Sequence, residues 1–122
     1  MSDKPIAERL QVKKDRTLAV QGAPKAVDTA IGVPDRRASA RLADVVLLFA
    51  ADRKALDKAL PPLLAQIGAT TILWIAYPKL TSALARDLNR DALRAQAPAF
   101  GLDTISQIAI DDDWSALRFK RI

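Results

Sequence analysis

The stretch Asp44-Val45-Val46-Leu47-Leu48-Phe49-Ala50 runs through six apolar residues without a polar break. A strand with one wet face would alternate. A continuous β-branched and aliphatic run suits a strand covered on both faces, as in a parallel sheet. Thr71-Ile72-Leu73-Trp74-Ile75-Ala76-Tyr77 has the same character. Upstream, Thr17–Gln21 reads as a short strand stopped by Gly22. Downstream, Asp103–Ile110 alternates more. Ser115–Arg121 alternates clearly, with Leu117 and Phe119 on one face and Ala116, Arg118 and Lys120 on the other.

Helical segments lie between these strands. Pro5–Leu10 is a short helix, and Pro24–Ile31 starts on proline and stops at Gly32. Asp52 is placed to cap a helix over Arg53–Leu60, with Leu56 and Leu60 one turn apart. Pro61-Pro62 is expected to break or kink it, leaving Leu63–Ile67 as a further turn closed by Gly68. The clearest helical pattern is Thr81–Ala97. There Leu84 and Leu88 form an apolar stripe, and Arg86, Arg90 and Arg94 form a cationic one that Asp87 and Asp91 can pair with. Residues Gly32–Arg41 read as loop or as a short edge strand. The expected core comprises Val46, Leu48, Ile72, Trp74, Leu84, Leu88 and Ile108.

Continuous strands alternating with helices imply right-handed crossovers and a parallel sheet. The link Asp111-Asp112-Asp113-Trp114 is too short for a crossover, so the last two strands form an antiparallel hairpin. The expected fold class is therefore α/β. It is a Rossmann-like, mostly parallel sheet of about five strands with a C-terminal antiparallel hairpin and helices on both faces. The expected order is Thr17–Gln21, Asp44–Ala50, Thr71–Tyr77, Ser115–Arg121, Asp103–Ile110, with only Ser115–Arg121 antiparallel. This topology resembles the C-terminal half of the class I methyltransferase fold, whose final antiparallel strand inserts beside the third from last.

The 122 residues suit one domain, with 50% hydrophobic and 27% charged residues arguing against wholesale disorder. The longest apolar run, Val45–Ala51, is far short of the roughly 20 residues a membrane helix needs. Met1–Leu10 has no apolar targeting core, and with no cysteine the expected compartment is the cytoplasm. Of the net charge of +5, residues 1–41 carry +4. That excess admits nucleic acid or another anionic partner, although a solvated basic face explains it equally and more simply.

The residue inventory excludes much chemistry. With no histidine, no cysteine and Glu8 the only glutamate, a thiol nucleophile, a Ser-His-Asp relay and the usual zinc sites are ruled out. Asp111, Asp112 and Asp113 read better as a turn held by Asx-type bonds than as a metal site, because neighbouring turn residues point apart. Gln21-Gly22-Ala23-Pro24 holds one glycine where a dinucleotide or S-adenosylmethionine loop would hold G-x-G. Such a cofactor also needs an acid closing a second strand to hold the ribose. Residues 22–44 are too few for that strand pair and its helices. No cofactor and no metal are therefore expected.

Ligands of open parallel sheets bind beyond the carboxyl ends of the strands. The candidate ligand residues are accordingly Gly22, Asp52, Tyr77, Lys79, Thr81 and Ser82. Lys79 could set an ammonium over an anion beside the amides of a helix opening at Thr81 or Ser82. The plainer reading makes Pro78 the exit turn, Lys79 solvated and Ser82 an N-cap. Trp74 reads as core. Trp114 reads as core first, and otherwise as a lid or contact surface.

Several segments carry a family likeness: Pro5-Ile6-Ala7-Glu8-Arg9-Leu10, Asp44–Phe49, Trp74-Ile75-Ala76-Tyr77-Pro78-Lys79, Asp87-Leu88-Asn89-Arg90-Asp91 and Trp114-Ser115-Ala116-Leu117-Arg118-Phe119. In this order they resemble the small bacterial proteins of domain-of-unknown-function family 3052. The chain departs from the pattern at Lys14-Asp15-Arg16, where a glycine-containing turn is expected. The resemblance implies no particular activity. Three functional readings follow. The first is a non-catalytic methyltransferase-like module acting through a protein partner or as a homo-oligomer. The second is a binder or enzyme for a small anionic metabolite near Tyr77 and Lys79. The third is a nucleic-acid binder using the basic first third.

Overall fold

The structure is a computed structural model that describes residues 4–122. The chain runs α1 (Ile6–Arg9), β1 (Leu18–Gln21), α2 (Lys25–Ile31), a 3-10 turn (Pro34–Arg36), β2 (Val45–Phe49), α3 (Arg53–Gln66), β3 (Ile72–Pro78), α4 (Arg90–Gln96), a second 3-10 turn (Ala97–Phe100), β4 (Leu102–Ala109) and β5 (Trp114–Arg121). One five-stranded sheet has the order β1-β2-β3-β5-β4, the order expected from the crossover rule and the inserted hairpin. The β1-β2 and β2-β3 pairings are parallel, and β5 pairs antiparallel with both β3 and β4. Parallel pairing is thus confined to the β1-β2-β3 half, and strand ends differ by about a residue from the sequence reading.

Each strand feeds two core layers. Val46, Leu48, Leu73, Ile75, Leu117 and Phe119 pack under α3 and α4, against Leu56, Leu60, Leu63 and Leu93. On the opposite face Val45, Leu47, Phe49, Trp74 and Ala116 meet α1 and α2 through Leu10, Val27 and Ile31. This explains the unbroken apolar run of β2, all five of whose residues are buried. β4 is the outer strand with most of its side chains exposed or half-buried. A bulge between Thr104 and Ser106 interrupts its register.

Three sequence expectations are corrected. Pro61 and Pro62 do not break α3, which continues through both to Gln66. The amide bonds they remove would have gone to the Asp57 and Lys58 carbonyls. Those residues and both prolines lie on the exposed face, while Leu56, Leu60 and Leu63 hold the other face to the sheet. Thr81–Ala97 is not one helix: residues 79–89 are turns, and α4 starts only at Arg90. Polar side chains in that segment bind elsewhere instead of allowing helix. The Ser82 hydroxyl accepts from Leu84 N (3.0 Å) and donates to Asp113 Oδ1 (2.8 Å), and Asp87 Oδ1 accepts from Arg53 N (2.9 Å) at the start of α3. Asn89 then caps α4 from extended backbone, accepting from Ala92 N at 2.9 Å. The Arg86/Arg90/Arg94 stripe dissolves accordingly, since only Arg90 and Arg94 lie on α4. In the core list, Leu84 is 45% exposed and Ile72 and Ile108 are half-buried, whereas Leu88 is buried as expected. Gly32–Arg41 is loop with a 3-10 turn and a single bridge, Arg37 beside Leu18.

Candidate functional site

The carboxyl ends of β1, β2 and β3 lie side by side, and the amino end of β5 returns to the same rim. Gly22 closes β1 at φ +78°, and a Cβ there would meet the Phe49 carbonyl oxygen at 2.9 Å. Glycine is required by backbone sign and by close approach to β2. Asp52, at the exit of β2, accepts from Ala55 N at 2.8 Å and so serves as the α3 cap.

Tyr77 is buried on the α3/α4 face, and among the described residues no partner meets hydrogen-bonding geometry with its hydroxyl, Ser115 being the nearest polar side chain across the strand pair. Burial pushes its phenol up from the ordinary value, opposed by the cations of Arg90 and Arg94 and by the Ser115 hydroxyl across the strand pair. Lys79 is half-buried, and its backbone N–H donates to the Asp113 carbonyl at 2.8 Å. Thr81 is exposed. Ser82 is tied to Asp113, so its amide opens no helix towards an anion. The geometry therefore gathers Tyr77, Lys79 and Ser82 around the β3 exit and leaves Gly22 and Asp52 occupied with structural tasks.

Sequence reasoning missed Asp113 and Ser115. Asp113 collects Lys79 N and the Ser82 hydroxyl, and Ser115 is the buried polar side chain beside Tyr77. The signal for both was the hairpin itself, because an inserted last strand brings its first residues to the β3 exit. Asp111 behaves as the turn reading requires, its Oδ1 accepting from Asp113 N and Trp114 N, each at 2.8 Å. Trp114 is buried and meets Phe49 edge-on, with centroids 5.0 Å apart at 70°. The open cavities lined by Leu64–Leu73, by Lys13–Arg16, by Glu8 with Gln107, and by Asp28 with Arg37 lie away from this rim.

No family model matches the chain, and no curated protein matches it. Solved structures do match. Mitomycin 7-O-methyltransferase MmcR superposes with a TM-score of 0.62 at 12% identity, over 96% of this chain and 53% of that one. A fibrillarin pre-rRNA processing protein of Methanococcus jannaschii matches with a TM-score of 0.55 at 12% identity, over 98% and 70%. A protein of the NADB-Rossmann superfamily from Streptococcus agalactiae matches with a TM-score of 0.52 at 10% identity, over 99% and 69%. The fold is Rossmann-like and methyltransferase-like. At these identities the likeness concerns fold alone, and this chain spans about half the length of MmcR.

The fold raises S-adenosylmethionine as a cofactor, and the residues present do not fit it. Residues 22–44 form α2, a 3-10 turn and one bridge, with no strand to carry a ribose-binding acid. The acids of that interval are occupied or displaced. Asp28 pairs with Arg37 at 2.8 Å, Asp35 lies in the 3-10 turn, and Asp44 holds Thr17 N at 3.0 Å. Gly22 is the one glycine of the turn after β1, and its role there is close backbone approach to the Phe49 carbonyl of β2.

Proposed function

We propose that this chain is a methyltransferase-like module that carries out no methyl transfer and acts through a protein partner or as a homo-oligomer. The observation that carries this reading is the content of residues 22–44. Where a cofactor-binding sheet would continue outward from β1, Arg37 bridges Leu18 and closes the α2 end through bonds to the Gly32 and Asp28 carbonyls at 3.1 and 3.2 Å. Support for contact-mediated action comes from the 79–89 segment beside the β3 exit, where Leu80 is 74% exposed and Leu84 45%.

Membership of domain-of-unknown-function family 3052 belongs to the same proposal. The segments that carry the likeness have structural work here: Asp87 and Asn89 cap two helices, and Trp114 packs on Phe49. The anionic-metabolite reading at the β3 exit retains the Lys79 ammonium as its support, and the nucleic-acid reading retains Lys13, Lys14 and Arg16, which line a cavity together with Asp15 and Asp44.

Calorimetry with S-adenosylmethionine and with NAD tests the proposal, together with light scattering on the eluting protein over a range of concentrations. The expected result is no saturable binding tighter than about 1 mM, with a mass above the monomer. A micromolar dissociation constant for either cofactor overturns it.

A further inference from the structure

β4 ends the sheet, and among the described residues it pairs only with β5. Its outer side therefore presents backbone groups that no strand takes up. Ile110 N donates to the Trp114 carbonyl, so residues in step with Ile110 direct their amides inward to β5. Gln107 and Ala109 are out of step and direct theirs outward. The Ala109 carbonyl agrees, because it accepts from the Arg9 guanidinium at the end of α1. Folded proteins blunt such edges with lysine, proline, shortness or a bulge. β4 is eight residues long and holds neither lysine nor proline. Its bulge lies between Thr104 and Ser106, which leaves residues 106–109 in regular register.

A groove of about 450 Å³ runs beside this stretch, with Gln107, Ile108 and Ala109 as one wall. The other wall carries Lys4, Arg9 and Lys13, with Glu8 the single acid among the lining residues. Ile108 packs on the α1/α2 layer, so that is the face on which these cations stand. A strand added beside β4 would set alternate side chains on the same face, over Arg9 and Lys13. A second copy of β4 suits the edge poorly. Antiparallel pairing about a two-fold axis places both α1 segments on one face and brings a second set of cations against the first.

We propose that β4 takes an extended acidic peptide of a protein partner as an added strand, its main chain on Gln107 and its alternate acids facing Arg9 and Lys13. The inference rests on the reading of this chain as a module that acts through a partner, and it names the surface and the partner's chemistry.

The test is fluorescence anisotropy of the full chain with a labelled peptide of alternating valine and glutamate, at constant ionic strength. Binding should saturate, and a peptide with lysine in place of glutamate should bind about tenfold more weakly or less. Lys13→Glu and Gln107→Pro should each weaken the acidic peptide about tenfold or more. Lys13 is exposed, and the Gln107 amide points out of the sheet, where an edge tolerates proline. Two further peptides need no variant, one N-methylated on its valine amides and the other on its glutamate amides. An added strand turns one set of amides towards β4 and the other towards solvent, so one peptide should lose binding and the other keep it. Anisotropy that never saturates, equal binding or equal loss for the two methylated peptides, or parent-like binding by the folded variants overturns the proposal. A dimer that Gln107→Pro dissociates, with no peptide binding, assigns the edge to a second copy and overturns it too. Any of these results leaves the reading of residues 22–44 untouched, because cofactor calorimetry decides that one.

Discussion

Trp74 Nε1 donates to the Leu10 carbonyl at 2.9 Å, and both residues are buried. This bond fastens the segment after α1 to the middle of the sheet. Trp74→Phe keeps an aromatic ring in place but leaves the carbonyl unsatisfied, so it should cost about 2–4 kcal/mol in urea unfolding. A loss within about 0.5 kcal/mol, the range of surface substitutions, would mean the bond contributes nothing. Tyr77 presents the opposite case, a buried hydroxyl with no hydrogen bond among the described residues. Tyr77→Phe should be neutral or stabilising by about 1 kcal/mol at neutral pH. Because burial raises the phenol pKa above 10.0, the folded chain keeps its proton where the unfolded chain has lost it. That contribution to stability is fully present below pH 10.0 and is lost as pH rises through the folded value. Stability of the parent should therefore fall above pH 10.0 with a component that Tyr77→Phe removes. Tyr77 is the single tyrosine, so ultraviolet difference titration reads it directly.

At the scale of elements, the segment from Lys79 to Asn89 shows how tertiary contacts displace local preference. Leu84 and Leu88 stand at helical spacing, yet Leu88 is 1% exposed and Leu84 45%. Leu88→Ala should cost about 2–5 kcal/mol, the range for a buried leucine. Leu84→Ala should change stability by less than about 0.5 kcal/mol. Equal losses at the two sites would restore a continuous helical stripe, and denaturant midpoints of the two variants decide it. The same elements make α3 tolerant of its prolines. Asp52 and Asp87 satisfy two amides at its start, and Arg121 holds carbonyls at its end.

For the whole molecule, one sheet separates two apolar layers. Both tryptophans belong to the α1/α2 side, whereas the longest helix packs on the other. The strands are shared, so neither layer can lose its packing alone. Tryptophan fluorescence and far-ultraviolet circular dichroism should give coincident unfolding curves. Separate midpoints would show that the α1/α2 layer opens independently. Gly22→Ala probes the junction of β1 and β2. With φ at +78° and a carbonyl oxygen 2.9 Å from the new Cβ, it should cost about 1–3 kcal/mol in the same measurement.

Much of this architecture was legible without coordinates. The unbroken runs over 45–50 and 72–77 required strands covered on both faces, and the short Asp111–Trp114 link required a hairpin, because each constraint is local and steric. The single glycine and the brevity of residues 22–44 likewise announced an interval with no strand pair. Only the tertiary structure decided where polar side chains spend their bonds. Ser82 and Asp87 read as helix residues until Asp113 and Arg53 N stand beside them, whereas the cap at Asp52 was legible in the sequence. The cavity at the amino end of β3 was hidden for the same reason. Its lining comes from α3, the Gly68–Thr71 turn, β3, β4 and β5, segments up to 57 residues apart at the Arg121–Leu64 contact, and no periodicity within a strand records which distant group faces it.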